Sequence, residues 1–187
     1  MVEQVNLSAQ QDDDWALFLP AVSSFFIAGL GKQRKGEEYF PQDRIPAGFN
    51  GDVERLNFLN SKEGLYTYKW GLYSAGHADL DITKDIPSES IIREREEGTF
   101  MLGDSGGFQI LKCQWPADWK DPNCPRAMKQ RIKVLKWMDA YMDYGMVLDI
   151  PAWVCRSPAG IRATGISSYD QAVEATKYNN EYWIKRI

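Results

Sequence analysis

Apolar and polar positions follow their clearest pattern in the second half of the chain. TFMLGD (99–104) is a short apolar run that reaches an acid and leads into a glycine pair, which predicts a strand ending at Asp104. A Trp-, Pro- and Asp-rich stretch, 111–124, reads as a loop. PRAMKQRIKVLKWMDAYMDYG (125–145) reads as a helix opened by Pro125 and closed by Gly145. Met128, Ile132, Leu135, Met138 and Met142 form its predicted buried stripe, and Arg126, Lys129, Lys133 and Lys136 share another face. MVLDIPAW (146–153) predicts a second strand, again reaching an acid, Asp149. SSYDQAVEATKYNNEYWIKRI (167–187) predicts a last helix, with Ser168 and Gln171 spaced as a capping box.

The first half is less regular. Residues 1–50 read as an irregular N-terminal segment interrupted by Pro20, Pro41 and Pro46. GDVERLNFLNSKEG (51–64) predicts a short helix with Val53, Leu56 and Leu59 on one side, and the aromatic-rich 65–76 is strand-like. Strand, loop, helix, strand, loop, helix is βαβα order, so the expectation is one α/β domain over 1–187 with parallel strands and crossover helices. Ligands in such folds sit beyond the carboxyl ends of the strands. Asp104 and Asp149 both fall at that end.

Composition narrows the classes. A chain of 187 residues, 44% hydrophobic and with seven tryptophans, is long enough for a packed domain that buries roughly 70% of its unfolded surface. The apolar run 18–30 is too short to span a bilayer and contains a proline and two serines, and the acidic start lacks signal-peptide character. Three cysteines without zinc-ligand spacing read as reduced thiols, which points to the cytoplasm and to no metal site in this chain. A net charge of -4 excludes a generally basic nucleic-acid coat, so any such contact has to be local.

The segment around residue 105, Gly-Asp-Ser-Gly-Gly, also surrounds the nucleophilic serine of chymotrypsin-like proteases. A protease needs a histidine base and an orienting acid at Ser105. His77 is the one histidine, and it stands only 28 positions before Ser105, too close for a double β-barrel. The downstream chain is helical rather than all-β, which sets the protease reading aside. The other reading centres on Asp104. A carboxylate only accepts hydrogen bonds, so it suits a ligand edge with adjacent N–H donors, such as N1–H and the 2-amino group of guanine. Gly106 and Gly107 would let a flat ring approach the backbone, Phe108 would lie against its face, and Asp149 would be a second acceptor.

GDSGGFQI (103–110), followed by MVLDIPAW (146–153) and SYDQAVEATKYNNEYW (168–183), resembles the tRNA-guanine transglycosylase superfamily. The resemblance covers 99–187; residues 1–98 match through FLPAVSSF (18–25) and general order. LDIPAW and the Trp-rich loop are most like the bacterial and phage relatives that insert 7-deazapurines into DNA. The resemblance implies a (β/α)8 TIM-barrel fold, of which this chain would hold the N-terminal part, and a pentosyltransferase that exchanges guanine for a 7-deazaguanine in DNA or tRNA. It makes Asp104 the base-binding residue implicated in proton transfer, and hence catalytic. Phe108 would stack on the base, Asp149 would hydrogen-bond its pyrimidine edge, and Ser105, Gly106, Gly107 and Gln109 would shape the pocket. The family's nucleophilic aspartate and its zinc site have no counterpart in this sequence. The implied partners are therefore the guanine or 7-deazaguanine base, nucleic acid, and a second chain completing the barrel, with no membrane and with zinc only in that second half. The setting is the cytoplasm of a bacterial or phage-infected cell. The alternative is a non-catalytic relic that keeps a purine pocket.

Overall fold

The chain is described by a computed structural model over residues 17–86 and 89–186. Its frame is a sheet of three parallel strands in the order β1 (Trp70–Ser74), β2 (Phe100–Asp104) and β3 (Tyr144–Gly145). β1 runs in register from Trp70 opposite Phe100 to Ser74 opposite Asp104. Leu102 and Gly103 face Tyr144 and Gly145. Burial alternates along β1 and β2, as a pleat requires, with Gly71, Tyr73, Met101 and Gly103 on the buried positions. The Trp70 and Phe100 rings stack across the pair at 4.8 Å. On the outer side of β1, Ala21 adds an isolated parallel bridge to Leu72.

Six α-helices accompany the strands among the described residues: α1 (Ser24–Arg34), α2 (Ser90–Arg93), α3 (Gly107–Leu111), α4 (Pro125–Tyr141), α5 (Pro158–Thr164) and α6 (Tyr169–Ile184). The parallel α/β character matches the sequence pattern, but the barrel does not. The sheet is open and three-stranded, so the chain is not a portion of a (β/α)8 barrel. Among the described residues the β1–β2 connection holds one α-helix, the four-residue α2, instead of a crossover helix long enough to cover the sheet, and β3 is two residues long. Such strands cannot supply the tilted, continuous wall that closes a barrel.

Other boundaries also move. Residues 24–34, inside the segment read as irregular, form α1. Ser23 caps it by accepting from Phe26 N–H at 3.2 Å, and Pro20 and Pro41 lie outside it rather than within it. Residues 1–16 of that segment lie outside the described part of the chain. Residues 51–64 form only a single 3-10 turn, Val53–Leu56, capped by Asp52; Val53 and Leu59 are buried, but Leu56 is exposed.

Helix α4 starts at Pro125 as expected but stops at Tyr141, because Tyr144 and Gly145 pair with β2. Its buried face is Ala127, Arg131, Val134, Trp137 and Met138. Of the predicted stripe only Met138 is fully buried, since Trp137 and Arg131 turn the helix toward the core. Met138 and Met142 lie against Gly103, where an added Cβ would come within 2.8 Å of Met142 Cγ. Helix α6 follows its predicted start: Ser168 accepts from Gln171 N–H at 3.3 Å, and Gln171 accepts from Ser167 N–H at 2.8 Å.

Candidate strand-end site

β1 and β2 finish side by side, and their last residues are joined. Ser74 donates its hydroxyl to Asp104 Oδ2 at 2.5 Å, which fixes the half-buried carboxylate at the carboxyl end of β2. The chain then turns through Gly106 (φ +81°), which caps α3 in the left-handed region that favours glycine. Ser105 is buried just inside that turn and donates to Asp149 Oδ1 at 3.3 Å.

Asp149 reaches this point by an unexpected route. The predicted strand 146–153 is absent; the ladder ends at Gly145, and Met146 N–H adds one bond to Gly103 C=O at 2.8 Å. Beyond it the backbone is held by side chains of α6. Asn179 Nδ2 donates to Leu148 C=O at 2.7 Å, and Ile150 N–H donates to Thr176 Oγ1 at 2.8 Å. Asn179 is itself fixed by Arg131 of α4, whose Nε donates to Asn179 Oδ1 at 2.5 Å. Arg131 is fully buried, with the Trp119 and Tyr178 rings 5.4 and 4.9 Å from its guanidinium carbon. Desolvation there lowers its pKa. The buried pair Arg131–Asn179 thus anchors the segment that presents Asp149.

The electrostatics follow from this crowding. The Asp149 residue is exposed overall, yet its Oδ1 faces the Ser105 hydroxyl and packs on Gly107. Desolvation is the main reason its pKa lies above the usual carboxylate range, and the charge of Asp104 adds to it while the Ser105 hydroxyl opposes it. Gln109 is buried, its Oε1 has no hydrogen-bond partner, and its amide packs against Gly76. Asp104, Asp149 and Gln109 therefore present acceptors with few donors around them. Phe108 is 57% exposed, with Lys112 Nζ 5.2 Å from its ring centre.

One sequence reading changes here. Gly106 and Gly107 do not leave room for a flat ring: Trp115 packs on Gly106, where an added Cβ would lie 2.6 Å from the indole, and the Asp149 carboxylate packs on Gly107. These glycines admit the site's own walls. Ser105 donates to the Asp149 carboxylate, and His77 is exposed and not bonded to it, so the histidine base of the protease arrangement does not stand at Ser105. Sequence reasoning also passed over Trp153, 64% exposed in the turn Ala152–Arg156 that neighbours α3, with the Arg156 guanidinium 4.1 Å from its ring centre. Its place four residues after Asp149 was the available signal.

Among the described residues no group of three His, Cys, Asp or Glu side chains is placed to hold a metal ion, and no helix is long and apolar enough to cross a membrane. In comparisons with protein families, with curated proteins and with solved structures, the chain matches none of them.

Proposed function

We propose that the strand-end rim binds the pyrimidine edge of guanine or a 7-deazaguanine, and that this chain supplies the base-binding part of a guanine-exchanging pentosyltransferase acting on nucleic acid, DNA before tRNA. The observation that supports the reading is the linked pair of carboxylates, Asp104 and Asp149, brought together through Ser105 from two separate chain segments. Carboxylates accept and cannot donate, so a base edge with adjacent N–H groups is the complementary partner. The unpartnered acceptor of Gln109 adds to that demand. The exposed rings of Phe108 and Trp153 offer stacking surfaces at the same rim, and Lys112 and Arg156 beside them offer positive charge to a phosphate backbone.

Within this reading Asp104, held by Ser74, binds the base and exchanges its proton, while Asp149 accepts from the neighbouring donor. Both carboxylates then lie at the base edge, and Asp149, the group to which Ser105 donates, is engaged there and not free to activate that hydroxyl. Attack on the sugar carbon therefore falls to a nucleophile on a second chain. The isolated chain is expected not to exchange radiolabelled guanine into DNA or tRNA, and exchange is expected once a chain supplying the nucleophile is added. In that mixture Asp104→Ala abolishes exchange and Ser105→Ala retains it. Exchange by the isolated chain that is lost in Ser105→Ala overturns the assignment.

A further inference from the structure

A second concavity lies at the opposite end of the sheet. It opens where β1 begins, between Tyr66 and Tyr68 on the approach to the strand and Phe18, just ahead of the Ala21 bridge. Phe58, Leu56 and Leu65 complete its apolar walls, and its volume is about 410 Å3, within the size range of small-molecule sites. These side chains do not cover one another: Phe18 is 73% exposed and Tyr66 70%. A contiguous open patch of this kind marks a binding surface more often than an accident of packing.

Arg55 is the one charged side chain among the described lining residues. Its Nε is buried without a hydrogen-bond partner, and among the described residues its guanidinium makes no ion pair. Arg34, Arg93 and Arg95 are paired with Glu54, Glu89 and Asp143, and Arg131, which has no carboxylate, is closed off in the core against Asn179; Arg55 instead lines an open cleft. A guanidinium set in an aromatic cleft with no carboxylate beside it among the described residues is suited to an anionic ligand, and its planar fork matches a carboxylate.

We infer that this cleft is a binding site for a small aromatic carboxylate, its ring held among Phe18, Phe58, Tyr66 and Tyr68 and its carboxylate on Arg55. The site is independent of the strand-end rim, which lies at the other end of the strands.

Titration calorimetry of the full chain with 2-naphthoate, 2-naphthalenemethanol and 2-naphthylmethylammonium tests it. Naphthoate is expected to bind about tenfold more tightly than the alcohol, and the ammonium least. Arg55→Met is expected to remove that preference while leaving the alcohol within about twofold, and Arg55→Lys to restore part of it. Tyr66→Ala is expected to weaken both ligands. Thermal melts of each variant separate lost binding from lost folding, and Arg55→Gln provides a second neutral variant should Arg55→Met unfold. Equal affinity for naphthoate and the alcohol, or a preference that survives both neutral variants, overturns the inference.

Discussion

At the residue scale the pair Asp104 and Asp149 carries the site, and its chemistry is open to titration. The folded chain holds a proton on Asp149 at pH values where the unfolded chain has released it, because its pKa is raised by desolvation and by Asp104. The native state then binds more protons than the unfolded state, so this group's contribution to stability falls as pH rises from the ordinary carboxylate value through the raised one. Asp149→Asn removes that dependence. Its melting temperature relative to wild type is expected to climb across this window and to level off above it. A difference that stays flat or declines would contradict the raised pKa. Gly106 offers a second residue-level test. Gly98 has the same φ of +81° with open space around it, whereas Gly106 adds the Trp115 ring. Gly98→Ala is expected to cost about 1 kcal/mol from backbone strain, and Gly106→Ala about 1–3 kcal/mol more from the clash, read by urea denaturation. Asp104 at a strand end was legible in the run TFMLGD, since a short apolar run and a terminal acid are local signals. The packing of Trp115 and Asp149 onto the glycine pair was not, because both contacts come from outside the motif.

Among the elements, α6 holds the segment that a strand was expected to hold. The run MVLDIPAW is apolar enough to read as a strand, but its backbone groups are satisfied by Asn179 and Thr176. Side-chain partners of this kind lie 26 and 31 residues away in sequence and leave no periodic trace. Arg131 stands three residues after Met128 and seven before Met138, on the side of the predicted stripe, but its charge hides that place, and the fold buries it between two rings. Helix starts were legible where a cap or a proline marks them, as at Pro125 and Ser168; the end of α4 was not, because pairing of Tyr144 and Gly145 with β2 decides it. Asn179→Ala leaves both the Leu148 carbonyl and the buried Arg131 short of a partner. It is expected to destabilise the chain by about 3 kcal/mol, against about 1 kcal/mol for Thr176→Val. Both values come from denaturant midpoints. Equal costs would mean that Arg131 does not depend on Asn179.

For the molecule as a whole, βαβα order was enough to predict parallel strands but not how many or how long. Parallel pairing is a property of consecutive units, whereas closure into a barrel depends on the strand count, tilt and stagger summed over the sheet. Here a short connector between β1 and β2 and a two-residue β3 leave the sheet open. The open sheet still brings its strand ends together, and that juxtaposition is what the acceptor rim requires. Paired titration of the full chain with guanine and with hypoxanthine, which differs by the missing 2-amino group, tests the rim most directly. If Asp104 and Asp149 accept from adjacent donors, guanine binds at least about tenfold more tightly than hypoxanthine, and Asp104→Asn and Asp149→Asn each reduce that ratio. Equal affinity for the two bases, or a preference that both substitutions leave intact, would contradict it.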